Sequence, residues 1–221
     1  MINKPLYVLG LMSGTSMDGL DCCLCRIDIN NELNLNYEIL DFKTYNYNKS
    51  LKLKINSLVG SLNKDKIKNL DIELGEIFNN YAKNFLNNKK IELIASHGQT
   101  IRHESGVESV QIGNPQSLYN HFKVPVIYDF RVQDIMNGGT GAPLVPFLDW
   151  LLFKNVKKNI ATVNIGGISN ITYIPKNSLR HNVLGFDTGP GMSLIDEYTK
   201  VQFNNYYDKD GMFSQMGKVN S

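Results

Sequence analysis

One order of elements occurs twice in this chain: an apolar strand, a glycine-rich turn and two further strands. The first copy begins with an apolar segment at Leu6–Met12, followed by a turn at Gly14–Gly19. Its two further strands are predicted over Leu20–Ile29 and within Leu33–Tyr45. Apolar runs separated by such turns are typical of antiparallel meanders. The sequence therefore predicts two β-rich units, each beginning at a glycine turn.

The second copy follows a polar break at residues 154–159. It predicts strands at Ile160–Ile165, Ile168–Ile174 and Val183–Phe186. Domains average about 150 residues, so 221 residues make about one and a half domains. We therefore predict domains at residues 1–153 and 160–221, of which the second is incomplete.

Helical periodicity fills the space between the two meanders. Two helices are expected after the first meander. The clearer one runs from about Lys66 to Leu86, where apolar residues recur at spacings of three and four and predict a long amphipathic helix. Shorter helices are predicted over Pro115–Phe122, Leu144–Phe153 and Ser193–Lys200, and buried strands over Ile91–Ala95 and Val124–Tyr128.

Composition and charge are those of an ordinary soluble protein. Hydrophobic residues make up 42% and charged residues 20%, and the net charge of +2 gives no reason to expect nucleic acid or an anionic membrane as partner. No segment approaches the roughly 20 apolar residues of a membrane helix. The three cysteines lie within four residues and cannot form a disulfide framework. We therefore expect a cytoplasmic protein whose cysteines are small strand residues.

The first glycine turn has the spacing of a phosphate-binding loop without its side chains. Leu20 and Asp21 follow Gly19, where a P-loop has Lys and Ser or Thr. Successive backbone N–H groups of such a turn can still bind an anion, and Asp18 could hold a magnesium ion. A plain hairpin turn uses the same residue types. From these residues alone both interpretations stay open.

Two further glycine-rich segments occur in the second half. The turn Asn164–Asn170 again separates two apolar strands. Asp187 ends a predicted strand and precedes Gly189 and Gly191, where a carboxylate has little packing purpose. It is suited to act as a general base, or it caps the helix that follows.

Three polar residues in the first half could contact a ligand. His97 lies at a predicted strand end, where α/β sheets place ligands, although a structural histidine fits equally well. Arg131 could bind a carboxylate through two of its guanidinium nitrogens. Arg102 could do the same, or it pairs with Glu104 or Glu108.

Seven short motifs in order resemble the anhydro-N-acetylmuramic acid kinase family. They are Met12–Gly19, Ser96–Thr100, Gln111–Gly113, Asp129–Arg131, Gly141–Pro146, Asn164–Gly167 and Phe186–Gly191. Each motif is weak alone, but their order is specific. The resemblance implies an α/β actin-like ATPase (ribonuclease H-like) fold, with one complete domain and the start of a second.

The same resemblance implies a sugar kinase that uses ATP and Mg²⁺. Its reaction converts 1,6-anhydro-N-acetylmuramic acid to N-acetylmuramic acid 6-phosphate, with hydrolysis of the anhydro ring, in the recycling of cell-wall amino sugars. Asp187 would activate the attacking water, and Asp18 would hold the metal. The ATP phosphates would lie on Gly14, Thr15, Ser16, Met17, Asp18, Gly19, Leu20, Asp21, Gly166 and Gly167. The sugar would contact His97, Gln99, Arg131, Gly189 and Pro190, with Arg131 on its lactyl carboxylate.

Members of this family are longer than this chain, so we expect a C-terminally truncated form without the adenosine pocket. Three exposed strands would then keep an uncovered apolar face. An alternative interpretation is an inactive remnant or a sugar-binding module. A homodimer, or a separately encoded C-terminal half, stays open as a partner.

Overall fold

The structure, a computed structural model, describes residues 4–14 and 17–218. By its internal contacts the chain divides into two units, residues 1–144 and 145–221. The helix at Val145–Phe153 therefore groups with the second unit. The predicted domain limits at residues 153 and 160 stay a prediction.

A mixed sheet of six strands forms the centre of the first unit. The elements of this unit are β1 (Leu6–Ser13), β2 (Gly19–Ile29), β3 (Leu35–Asn46), α1 (Lys49–Asn56), α2 (Lys64–Leu86), β4 (Leu93–Glu104), β5 (Glu108–Ile112), α3 (Gln116–Phe122), β6 (Val126–Tyr128) and α4 (Phe130–Met136). The strand order is β3-β2-β1-β4-β5, and β6 also pairs with β4. The first three strands form an antiparallel meander, whereas β4 runs parallel to β1 and to β6.

The pairing of β4 with β1 contains an irregularity. Leu11 pairs with Ser96, but two residues further along β1 the partner of Ser13 is Gln99. One extra residue is therefore accommodated in β4 around Gly98, whose φ of 75° lies in the left-handed region that favours glycine. This is a β-bulge, a feature that re-aims side chains near binding sites.

Helix α2 closes the core of the first unit. It begins at Asn63, whose side chain accepts a hydrogen bond from the Lys66 N–H, and it ends at Asn87 in the left-handed conformation. Leu74 and Phe78 on this helix are fully buried in the core that includes β1, β2 and β4. The spacing of these apolar residues is what the sequence predicted.

The loop after β5 lies directly on α2. A Cβ on Gly75 would stand 2.3 Å from the Asn114 carbonyl oxygen, and one on Gly113 would stand 2.6 Å from the Phe78 ring. The side chain of Asp71 accepts a hydrogen bond from the Gly113 N–H at 2.8 Å. Helix and loop are therefore held in one fixed arrangement.

A three-stranded antiparallel sheet forms the second unit. Its elements are α5 (Val145–Phe153), β7 (Ile160–Ile165), β8 (Ile168–Ile174), β9 (Leu184–Pro190) and α6 (Ser193–Phe203), with 3₁₀ turns at Arg180–Asn182, Lys209–Gly211 and Ser214–Met216. Pro146 of α5 lies against Gly185 of β9, where a Cβ would be 2.2 Å from the proline ring. Large apolar side chains stay open on these strands: Val163 is 61% exposed and Ile165 62%.

The predicted α/β class is confirmed, and each unit contains the predicted meander. The three cysteines lie on β2 as free thiols, with Cys22 buried and the other two partly buried. Two helices follow the first meander as expected, α1 and α2, of which α1 had been given no bounds. The structure also contains β5 and α4, which the sequence analysis did not identify. No helix in residues 4–14 and 17–218 is long and apolar enough to cross a membrane.

Gly75→Ala tests the contact between α2 and the loop. Alanine in an exposed helix position usually stabilises relative to glycine by about 1 kcal/mol. Here we expect the opposite sign, a loss of about 1–3 kcal/mol, because the new methyl meets backbone. Denaturant unfolding measures it. Asn80→Ala, on the exposed side of the same helix, is the control and should not destabilise; a stabilising Gly75→Ala would contradict the described packing.

Candidate functional site

A buried polar cluster lies beneath the first glycine turn. Ser13, Tyr47 and Gln99 are all almost fully buried. The Ser13 hydroxyl is 2.8 Å from the Tyr47 hydroxyl and 2.6 Å from Gln99 Oε1. A serine has one hydrogen, so the consistent arrangement is Tyr47 donating to Ser13, which donates to Gln99. The Gln99 amide nitrogen then donates to the Gly14 carbonyl at 3.0 Å.

The same cluster reaches the far end of the turn. The Tyr47 N–H donates to the Asp18 carbonyl at 2.9 Å, and Gly19 itself pairs with Asn46 of β3. Burial raises the pKa of the Tyr47 phenol, which keeps it a donor. Gly19 has no room for a side chain, because a Cβ would lie 2.3 Å from the Tyr45 carbonyl oxygen. Both ends of the turn are therefore fixed to the sheet.

Gln99→Leu should loosen this turn. The substitution removes the donor to Gly14 and leaves buried polar groups unpaired, at a cost of about 1–3 kcal/mol of unfolding free energy. We expect faster hydrogen exchange at the Met17 and Tyr47 amides, which donate to Gly14 and Asp18. Gln133→Leu, at an exposed site on α4, is the control. Unchanged exchange at both amides would show that Gln99 does not fix the turn.

His97 and Arg131 form a second polar contact in the first unit, which is partly buried. Arg131 Nε and one terminal nitrogen lie 3.1 and 2.9 Å from His97 Nε2, and the other terminal nitrogen donates to the Gly141 carbonyl at 2.7 Å. His97 Nδ1 lies 2.9 Å from the Gly98 carbonyl oxygen. A guanidinium only donates and a carbonyl only accepts, so His97 carries its proton on Nδ1. Burial, helped by Arg131, lowers the pKa of His97 and keeps it neutral.

This pKa shift predicts a pH dependence of stability. Because the folded pKa lies below the ordinary value of 6.5, the unfolded chain takes up this proton first as the pH falls. The unfolding free energy should therefore decrease as the pH drops below 6.5, towards the folded pKa. His97→Gln should show a weaker decrease between about pH 7.5 and 5.5 in urea unfolding. His121→Gln, at an exposed position, should behave like the parent; equal pH profiles for all three chains would contradict the assignment.

A cavity of about 440 Å³ lies beside this contact, within the first unit. Its lining comes from the bulged part of β4, from β5 with the following loop, from Asp71 of α2, and from Tyr128–Asp129. His97 and Gly98 form part of the wall. Burial raises the pKa of the Asp129 carboxyl. His97, which the sequence predicted as a ligand residue, therefore lies in the wall of a cavity.

In the second unit two glycine motifs join directly. The N–H of Gly191 donates to the Gly167 carbonyl at 2.9 Å, and the N–H of Met192 donates to the Gly166 carbonyl at 2.8 Å. A Cβ on Gly191 would stand 2.3 Å from the Gly166 carbonyl oxygen, so this approach requires glycine. Asp187, on β9 opposite Asn170, is exposed. The sequence predicted both motifs but not that they form one unit.

The predicted phosphate residues differ in their surroundings. Thr15 and Ser16 lie outside the described residues. The Asp18 carboxylate pairs with Lys52 at 3.2 Å, and Asp21 accepts a hydrogen bond from Thr44 at 2.6 Å. Within residues 4–14 and 17–218, no group of three or more His, Cys, Asp or Glu side chains could hold a metal ion. Leu20 is fully buried, so only its backbone is open to a phosphate role.

The predicted sugar residues divide in the same way. Gln99 contacts the turn rather than the cavity, which the sequence did not indicate, and its direct contact with a sugar stays a prediction. Arg131 donates to His97 and Gly141. Gly189, with a φ of 126°, and Pro190 lie at the end of β9 in the second unit. Arg102, for which alternatives were open, pairs with Glu108.

Comparison with known proteins identifies the family. The family model for anhydro-N-acetylmuramic acid kinase matches residues 6–221. The curated anhydro-N-acetylmuramic acid kinase of Clostridioides difficile is 40% identical over 97% of this chain, and that of Francisella tularensis subsp. novicida is 39% identical over 96%. The chain belongs to the anhydro-N-acetylmuramic acid kinase family.

The chain spans 59% of the length of each of these two relatives. Among solved structures it is similar to a ROK family protein from Streptococcus pneumoniae determined in complex with sucrose. That similarity has a TM-score of 0.40 and 12% identity, and covers 96% of this chain and 67% of the other. The family assignment rests on the sequence matches.

Proposed function

We propose that this chain carries the phosphate turn and sugar site of an ATP-dependent kinase for 1,6-anhydro-N-acetylmuramic acid. One observation carries the proposal: the bulge in β4 sends neighbouring side chains to two places. Gln99 fixes the glycine turn at Gly14, while His97 lines the cavity. A kinase must hold a phosphate donor and an acceptor in fixed relation, and its catalysis is mainly positioning and charge stabilisation.

The turn from Gly14 to Asp21, with Gly166 and Gly167, is the proposed seat of the ATP phosphates. Glycines let the backbone approach a phosphate closely, and backbone N–H groups supply the anion contacts. Fixation of Gly14, Asp18 and Gly19 from beneath supports this role, because a pre-organised turn loses little entropy on binding.

Magnesium would enter with the nucleotide. Mg²⁺ is commonly held by one or two carboxylates together with substrate phosphates. The Asp18 carboxylate is exposed and suits such a shared site. It pairs with Lys52 at the surface, and a surface ion pair contributes little energy. Bound there, the ion would neutralise charge on the phosphates. We propose Asp18 for this contact.

Asp187 is proposed as the general base. It would take a proton from the water that attacks the anomeric carbon of the sugar. The bond from that carbon to O6 breaks, O6 forms a bond to the γ-phosphorus, and the bond to ADP breaks. An exposed carboxylate on β9, close in sequence to Gly189 and Pro190, supports this role. The reaction belongs to the recycling of cell-wall amino sugars, which we place in the cytoplasm.

Asp187→Asn should lower turnover by about 10²–10⁴-fold, the usual share of a general base. The measurement follows ADP and sugar 6-phosphate formation from ATP and the anhydro sugar. Glu197→Gln, at an exposed carboxylate of the same unit, should keep the parent rate. An unchanged rate for Asp187→Asn would remove Asp187 from this role. Sugar binding without any ATP binding, alone or as a homodimer or with a separately encoded half, would contradict the kinase proposal.

A further inference from the structure

We propose that the cavity beside β4 recognises the uncharged hydrogen-bond donors of the sugar, its hydroxyl and amide N–H groups, through Ser96 and Gln111. This inference rests on the proposed function and adds which part of the substrate the cavity takes. The lactyl carboxylate would then lie outside the cavity.

Ser96 supplies the first observation. Its side chain is 1% exposed and lines the cavity. Among the described residues its hydroxyl oxygen has no hydrogen-bond partner. A buried polar group without a partner is unusual, since the large majority are paired. The oxygen is shielded from solvent, so a ligand in the cavity would pair with it when the Ser96 side chain turns towards the cavity.

Gln111 supplies the second observation. Its amide nitrogen lies 2.7 Å from Ser109 Oγ and 3.2 Å from Thr100 Oγ1, which fixes the orientation of the amide. The amide oxygen is buried and has no partner within the part of the chain that the structure describes. An amide oxygen only accepts. A ligand that pairs with it must bring an O–H or N–H group.

The charges of the lining exclude an anion as the preferred ligand. Asp71 and Asp129 are its charged side chains among the described residues, and no lysine or arginine belongs to it. The Asp71 carboxylate already accepts hydrogen bonds from Gly113 and Asn114. His97 is neutral, and its Nε2 accepts from Arg131. The Ser96 hydroxyl can donate as well as accept, so the selection against a carboxylate comes from the Gln111 amide oxygen, which only accepts, and from the negative charges of Asp71 and Asp129.

The walls are fixed before a ligand arrives. The close approach of Gly75 to Asn114 and of Gly113 to Phe78 holds the loop after β5 on α2. The Asp71 side chain fastens the same loop. A preformed cavity loses little conformational entropy when a ligand binds. More of the free energy of each hydrogen bond therefore contributes to the affinity.

The experiment is titration calorimetry of the full chain with two sugars. One is 1,6-anhydro-N-acetylmuramic acid; the other is 1,6-anhydro-N-acetylglucosamine, which lacks the lactyl carboxylate. Ser96→Ala should weaken both by the same factor, about 3- to 10-fold, the value of one lost hydrogen bond. Its thermal midpoint should stay equal or rise, because the change removes a buried unpaired hydroxyl. A structural role for Ser96 would lower the midpoint instead.

Ser178→Ala is the matched control. Its hydroxyl oxygen is also buried and has no hydrogen-bond partner in residues 4–14 and 17–218, but Ser178 does not line the cavity. It should leave both affinities unchanged. Gln111→Met is an independent test and should again weaken both sugars equally.

Three results would overturn the inference. If Ser96→Ala and Gln111→Met affect affinity no more than Ser178→Ala, the cavity is not the sugar site, while retained binding leaves the proposed function standing. If either variant weakens only the sugar with the carboxylate, the cavity takes the charged group. If the parent chain binds neither sugar, the proposed function fails together with the inference.

Discussion

The first unit depends on one side chain amide that has no access to water. Gln99 is fully buried, and its amide bonds to Ser13, to Gly14 and, at 3.3 Å, to the Thr100 carbonyl. A buried amide is stable only when its polar atoms are paired, so its partners hold the turn in one place. The position of the turn between β1 and β2 is therefore fixed by buried side chains of the sheet. Its glycines keep backbone groups close to the surface.

The two glycine turns are fixed by different means. In the first unit three buried side chains hold the turn: Ser13 of β1, Gln99 of β4 and Tyr47, which follows β3. In the second, backbone N–H groups of Gly191 and Met192 bond directly to the carbonyls of Gly166 and Gly167. That backbone contact needs no particular side chain beyond the absence of one at Gly191. The first turn can be altered by many substitutions at a distance, whereas the second is sensitive mainly to loss of glycine.

Much of the fold could be predicted because its longest elements carry strong local signals. Helix α2 has a continuous apolar face, and the apolar strands are separated by glycine turns. The less certain elements are short. Helix α1, expected without bounds, is eight residues long with few apolar positions, and β5 and α4, which were missed, are shorter still. Short elements form through tertiary packing, which periodicity does not record. The length of β4 was also underestimated, because its second half contains Arg102 and other polar residues.

The sequence predicted residues of the candidate site, but not the direction in which each side chain points. His97 and Gln99 were both assigned to a sugar, and the chain places one at the cavity and the other beneath the turn. The bulge that separates them cannot be inferred from the sequence, since a glycine such as Gly98 fits a turn as well as a strand. Ser96 and Gln111 lay inside motifs that the sequence analysis used, but their unpaired oxygens depend on neighbours brought together by the sheet.

The alternation of side chains in β4 limits how this chain can change over generations. Deletion of one residue beyond the bulge, such as Thr100, would shift every later side chain of β4 to the opposite face. The buried position of Ile101 would then pass to Arg102. Substitutions can be sampled one at a time along this strand, but length variants cannot. Descendants of this chain should diverge in residue identity here while keeping the spacing between the turn and the cavity.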